Sequence, residues 1–435
     1  MLTRIGLSAT VLVATVLAAT VLAGAPAPWA SGPAGAAAMA TGPGLHVPVS
    51  ALSDTTGLSA HSVRIGNVST LAFGLFKGAA VGTEAWADYV DSEGGVNGRK
   101  LVVDSSDDHY SGGPNKQFTQ EDVGQDFALV GGFSLFDSYG GAVLAAHPGV
   151  PNVTVSLSPS TNDLPNTFSP SPAVGGWQLG PLAFFKSRFP ADVTHTGALI
   201  AGEPSAEDKW TSEKAAMESL GYKVVYDPTF EITQTGFDQN VIAMKNAGVR
   251  ILFLEQMPEN YAASVVQALH QQDFHPVLVL GGSTYSERLV ADSGGPSAID
   301  GAFMDQGYPL FLGEDAPQIP AVSTFLTWVQ KASPGFKPDL YTLFGWLSGE
   351  LFTQALRAAG RHPTRGSVLE QLAAVTSFDG KGLSNTVDPA KKVPGSCYIL
   401  ARIEHGKYRR LDDPPVTGST RGYRCDQPYY YYPTR

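Results

Sequence analysis

Cysteine is almost missing from this chain: two occur among 435 residues, Cys397 and Cys425, both near the C-terminus. Two cysteines cannot build the disulfide framework of a small secreted domain, and no histidine or further cysteine stands at zinc-ligand spacing from them. Charge is sparse too, at 16% of residues, and it leans acidic, with 29 Lys and Arg against 40 Asp and Glu for a net −11. A phosphate backbone needs a concentrated basic face, which no stretch provides, so nucleic acid is excluded as a partner. The nine histidines are scattered without an H-E-x-x-H pair, which removes the helical zinc centre. "GGFSLF" from Gly131 fails the G-x-S-x-G elbow because Phe136 stands where glycine must permit the sharp turn. "GGVNGRK" from Gly94 lacks the spacing and terminal hydroxyl of a P-loop. Asp107, Asp108 and Glu255 could supply paired carboxylates, yet nothing in the sequence brings them together. No enzyme, cofactor or metal is therefore expected.

Long apolar runs are also scarce. One uncharged apolar run extends from Leu7 to Leu22 behind Arg4 and leads into "AGAPAPWASG", the pattern of a secretory signal, with cleavage expected after Ala30. It falls short of the ~20 apolar residues a spanning helix needs; a retained N-terminal anchor is the alternative. No lipoprotein cysteine follows it, so the mature protein is expected to be secreted or periplasmic, with no integral membrane span after signal cleavage. Residues 31–61 are rich in Ala, Gly, Pro and Ser and nearly uncharged, and are expected to be a flexible leader. In an exported chain Cys397 and Cys425 are expected to pair, with two free thiols as the alternative. The remaining roughly 370 residues exceed one ordinary core and suit two lobes.

Short apolar runs recur along this part: "VRIGNVS" from Val63, "KLVVDSSDD" from Lys100, "FALVGG" from Phe127 and "VPNVTVSLS" from Val150. Strands that are apolar throughout belong in a sheet covered on both faces. Between the first two, Val81, Ala85 and Tyr89 fall four apart, with Trp86 and Val90 beside them, which makes a crossover helix stopped at Gly94-Gly95. The unit repeats in "HTGALIAGEP", "YKVVYDPTF", "RILFLEQ" and "HPVLVLGGSTY", separated by helical stretches. Two successive βαβ arrays give an α/β chain with two doubly wound parallel-sheet lobes. A later helix aligns Tyr341, Phe344, Leu347, Leu351 and Ala355 on one stripe, read as core. A hairpin is expected around His405-Gly406, and the "YYYY" near the end reads as a surface tail or an edge strand. The sequons at Asn67 and Asn152 lie in expected strands and are read as structural.

The corner "DSEGGVNGRKLVVDSSDD", residues 91–108, resembles that of the type I periplasmic binding proteins, the branch that includes branched-chain amino acid (leucine/isoleucine/valine) binding components of ABC transporters. "LVGGFSLFDSYGG" and "HPGVPNVTVSLSPS" continue the pattern, as do "GFDQNVIAMKNAGVRILFLEQMPENYAASVVQAL" and "LVLGGSTYSERL". The resemblance implies two lobes joined by a three-crossover hinge. Residues 62–175 with 308–385 would form the N-terminal lobe, and 176–307 with 386–435 the C-terminal one. It also implies a ligand in the cleft, held by turns that follow the strands. On matching positions these are Phe73 and Phe76 after the first strand, Phe133, Ser134 and Leu135 after the third, and Ser156 and Ser158 after the fourth. The second lobe offers Glu203, Glu255, Gln256 and Tyr285. The family's amino acid binders place two adjacent hydroxyl residues in the third turn and a tyrosine and a glutamate in the second lobe; here one serine is followed by Leu and Phe, and Glu255 and Tyr285 stand off the pattern. An amino acid, an amide or a small carboxylate fits these turns. The implied function is extracytoplasmic capture of a solute for an ABC importer, with its permease as partner; a sensor or scavenger of the same fold is the alternative.

Overall fold

The computed structural model describes residues 47–172, 175–411 and 422–431; the expected signal and residues 31–46 of the leader lie outside them. The first sheet is wholly parallel, in the order β2-β1-β3-β4-β5. Its strands are β1 (Ser62–Ser69), β2 (Lys100–Asp107), β3 (Ala128–Val130), β4 (Asn152–Val153) and β5 (Thr167–Phe168). After β6 (Gly176–Gln178) come β7 (Thr196–Ala198), β8 (Ile200–Ala201), β9 (Val224–Tyr226), β10 (Thr229–Phe230), β11 (Ile251–Leu254), β12 (Val277–Gly281) and β13 (Phe303–Gln306). Near the C-terminus follow β14 (Ile399–Glu404), β15 (Lys407–Arg410) and β16 (Tyr429–Tyr431). The second sheet runs β15-β14-β13-β12-β11-β7-β9. Its β7, β9 and β11–β13 are parallel, whereas β14 and β15 add antiparallel at one edge. The second lobe is thus a mixed sheet where a purely parallel one was expected, because the terminal hairpin, turned at His405 (φ 52) and Gly406 (φ 71), caps its edge. The tyrosine run is an edge strand, β16 pairing antiparallel with β6.

Burial explains most strands directly. Ile251, Leu252, Phe253 and Leu254 of β11 are all buried in mid-sheet. β2 departs from the all-apolar expectation because it is an edge strand paired only with β1: Leu101 is 6% exposed and Val102 40%. The two sequon asparagines are both buried in the first sheet, and Asn67 donates to Thr83 Oγ1 and the Val130 carbonyl.

The chain passes between the sheets three times: from β5 to β6, after β13, and before β14. After β13 the helices Pro320–Ala332 and Leu340–Ala358 pack on Lys77–Ser92 beside the first sheet. Gly82 and Gly345 let Lys77–Ser92 and Leu340–Ala358 touch backbone to backbone: a Cβ on Gly345 would lie 2.1 Å from the Ala79 carbonyl oxygen, and one on Gly82 1.9 Å from that of Thr342. Trp86 and Trp346 meet edge to face at 4.9 Å beyond this crossing. A capping box starts the second helix, with Thr342 N–H donating to Asp339 Oδ1 at 2.8 Å and Asp339 N–H to Thr342 Oγ1 at 3.1 Å.

Residues 47–61 are part of this fold, where a flexible leader was expected. Ala51 is 1% exposed, and Asp54 pairs with the buried Arg365 at 2.8 Å. Arg365 also donates to the carbonyls of Phe127 and Val123, so a segment with little composition of its own is held by a cation from the far end of the chain. Cys397 and Cys425 form a disulfide.

Candidate solute-binding cleft

The corner at residues 91–108 folds from local necessity. Gly95 holds φ +76 within 2.1 Å, measured to its would-be Cβ, of the Arg99 carbonyl oxygen, a position only glycine takes without strain. The carboxylates that follow tie turns together. Asp107 accepts from Leu71 N–H at 3.0 Å, Ala72 N–H at 3.2 Å and His109 N–H at 2.9 Å. Asp108, fully buried, accepts from Thr70, Asn115 and Ser134. Asp104 instead pairs with Arg64 away from the cleft. Both His109 (φ 53) and Tyr110 (φ 58) are left-handed, a conformation costing about 1–2 kcal/mol per residue; Tyr110 N–H is held by Asp108 at 3.0 Å. The result aims Tyr110 across the cleft, where its hydroxyl donates to Glu203 after β8. Burial, then the Glu203 bond, push its phenol pKa up.

Two adjoining chambers lie between the sheets. The first opens to solvent and has aromatic walls from the first lobe and the crossover helix. Phe76 packs on Phe133 at 4.8 Å and on Tyr341 at 4.5 Å, and Phe133 on Phe344 at 5.8 Å. Leu135, Leu157 and Met257 complete the apolar surface. The second chamber, likewise open to solvent, is more polar, with Ser156, Trp177, Asp208 and Asp305 among its lining. Leu157, Ser205, Lys209 and Phe344 line both.

Of the residues expected here, Phe76, Phe133, Leu135, Glu203, Glu255 and Gln256 line the apolar chamber and Ser156 the polar one. The Phe73 side chain lies outside the described residues. Three expectations are corrected. Ser134 is 3% exposed and donates to Asp108 while accepting from Asn115 and Phe136 N–H, so it braces turns and does not line the chambers. Ser158 turns its hydroxyl to Thr161, and its N–H goes to Asp137. Tyr285 is 1% exposed in the core of the second lobe, donating to Glu314 at 2.6 Å with its ring against Tyr408 and Phe311. Sequence reasoning missed Tyr110, Lys209 and Tyr261, and read Tyr341 and Phe344 as plain core.

The electrostatics of the second-lobe wall come from a buried carboxyl cluster. Gln256 donates to Glu213 Oε2 at 2.8 Å, and Glu255 and Asp305 act on each other from nearby. Burial first, then the mutual repulsion of Glu255, Asp305 and Glu213, raises the Glu255 pKa; burial likewise raises those of Glu213 and Asp305. Three such groups without a neighbouring cation favour protonated forms that donate hydrogen bonds. On the first-lobe side Asp137 accepts the N–H groups of Leu157 (2.8 Å) and Ser158. The backbone donors that a ligand's carboxylate would use in that turn are therefore already filled.

Comparison with known proteins decides the family. The sequence profile described as "Periplasmic binding protein" matches residues 62–407. The chain belongs to the periplasmic binding protein family. No curated protein matches it in sequence. Among solved structures, this binding protein is similar to a branched-chain amino acid ABC transporter protein from Thermus thermophilus with bound valine, at 13% identity and TM-score 0.70, covering 83% of this chain and 98% of that one. It is also similar to the fatty acid ABC transporter substrate-binding protein of Thermomonospora curvata, at 14% identity and TM-score 0.68, covering 86% and 95%. A third is a solute-binding protein of an ABC transporter from R. palustris in complex with 4-hydroxybenzoate, at 18% identity and TM-score 0.67, covering 84% and 98%. At such identities the likeness is one of fold. The chambers lie at the carboxyl ends of the first sheet's strands, beside the point where strand order reverses around β1, where open α/β sheets hold ligands.

Proposed function

We propose that this protein is the extracytoplasmic solute receptor of an ABC importer, taking an amino acid, amide or small carboxylate into the interlobe cleft and presenting the closed form to a permease. The observation that carries this reading is the aromatic-walled chamber lined from both lobes and spanned by the Tyr110–Glu203 bond. The ligands named for its structural neighbours, valine, a fatty acid and 4-hydroxybenzoate, bracket the same chemistry. Closure about the three crossovers is the conformational step, as in other bilobed receptors. Binding without catalysis is the role of the family, and we read this member the same way. Among the described residues no helix is long and apolar enough to cross a membrane.

The test is a thermal-shift screen of the secreted protein against amino acids, amides, alkyl and aryl carboxylates. A cognate solute at 100 times its Kd adds about 2.7 kcal/mol of stability, a clear rise in Tm. A flat response across the whole panel would remove the reading.

A further inference from the structure

The question left open by a receptor reading is which chemical head group the cleft accepts, and the charged side chains of the cleft decide it. Most carboxylates there are already engaged or buried: Glu203 receives the Tyr110 hydroxyl, Asp137 receives two backbone N–H groups and Glu213 receives Gln256, whereas Asp208, on the polar chamber's lining, is exposed to solvent. The cation is the exception. Lys209 lies one turn after Ser205 on the helix Pro204–Ser219, lines both chambers, and is partly buried. Among the described residues its side-chain nitrogen makes no ion pair within 4 Å and no hydrogen bond; burial pushes its pKa down, and Asp137, acting through space, opposes that. A half-buried cation without a partner is a costly arrangement that an anionic ligand relieves.

Resting on the receptor reading above, we infer that the solute is a monocarboxylate with an apolar aryl or alkyl body, its carboxylate bound by Lys209 and its body against Phe76, Phe133, Tyr341, Phe344 and Met257. A free amino acid fits less well: with its carboxylate on Lys209 its α-ammonium stands beside that same cation, and Glu203, which could answer it, already accepts the Tyr110 hydroxyl. An amide of the same body keeps the apolar contacts and loses the charge pairing, which makes it the discriminating probe.

The experiment is calorimetric titration of the whole secreted chain at pH 7 with two acid–amide pairs, 3-phenylpropanoate with 3-phenylpropanamide and octanoate with octanamide, and with phenylalanine. In at least one pair the acid binds at least about tenfold more tightly than its amide, and phenylalanine binds more weakly than 3-phenylpropanoate. In Lys209→Gln the acid-to-amide ratio falls toward one, and in Lys209→Arg most of it survives. The wild-type ratio stands on its own should a variant fail to fold. Equal affinity for acid and amide, tighter phenylalanine, or a ratio unchanged in Lys209→Gln overturns the inference. If none of these compounds binds while another solute does, the inference falls and the receptor reading stands; if nothing binds, both fall.

Discussion

Removing the Tyr110 hydroxyl tests how the cleft stays shut. In Tyr110→Phe the ring remains edge-on to Phe136, now 5.2 Å away, so packing is kept and the bond to Glu203 is lost. Hydrogen bonds to a charged group contribute about 1.5–3 kcal/mol. Both partners are half-buried, which puts this one at the low end, about 1.5 kcal/mol. The bond joins a turn of the first lobe to one of the second, so its loss weakens the closed form and leaves the open form untouched. Apparent affinity scales with the closed fraction; 1.5 kcal/mol corresponds to about a tenfold weaker Kd. Titration calorimetry of wild type and Tyr110→Phe with one common solute measures this, with ligand-free Tm as the control for folding. A Kd within twofold of wild type at an unchanged Tm would refute the latch.

Other outcomes follow from the same structure. Glu213, Glu255 and Asp305 have native pKa values raised by burial, Glu213 to about 8 and Asp305 to about 7. Between the ordinary carboxyl range near pH 4 and those values the native state holds protons the unfolded chain has released, so stability falls as pH rises through that window; Tm measured from pH 5 to 8 drops, and Glu213→Gln flattens the drop, whereas a rising Tm contradicts it. Gly345→Ala drives a Cβ against the backbone of Lys77–Ser92 and costs about 1–3 kcal/mol, read by urea denaturation; no loss would mean the helices can part freely. Reducing Cys397–Cys425, whose sequence separation is 28, costs about 3.5 kcal/mol in the chain-entropy treatment, visible as a lower denaturation midpoint with reductant. Equal midpoints would remove the stabilising role of the bridge.

The strands and crossover helices were legible because each answers to local pattern: Ile251–Leu254 is apolar throughout since both faces are covered, and Gly94-Gly95 ends a helix whatever lies beyond it. The commitments of polar groups were not legible. Ser134 looks like a ligand hydroxyl until Asp108, 26 residues earlier, claims it, and Tyr110 gains its role only from Glu203, 93 residues away. Tyr285 stands in a cleft-side turn by position, yet Tyr408 of the terminal hairpin and Phe311 of the crossover enclose its ring. Lys209 gave no motif signal at all: that it makes no ion pair depends on where Asp137 and Glu203 spend their hydrogen bonds. The same holds for residues 47–61, whose anchor Arg365 is 311 positions from Asp54.

The most direct test of solute capture between the lobes is amide hydrogen exchange with and without a solute that raises Tm. The account predicts slowed exchange in four separate segments, the turns at 70–76 and 131–136 of the first lobe and at 201–209 and 255–261 of the second, with little change at the β14–β15 hairpin. Protection confined to one lobe, or centred on a surface away from these turns, would contradict it.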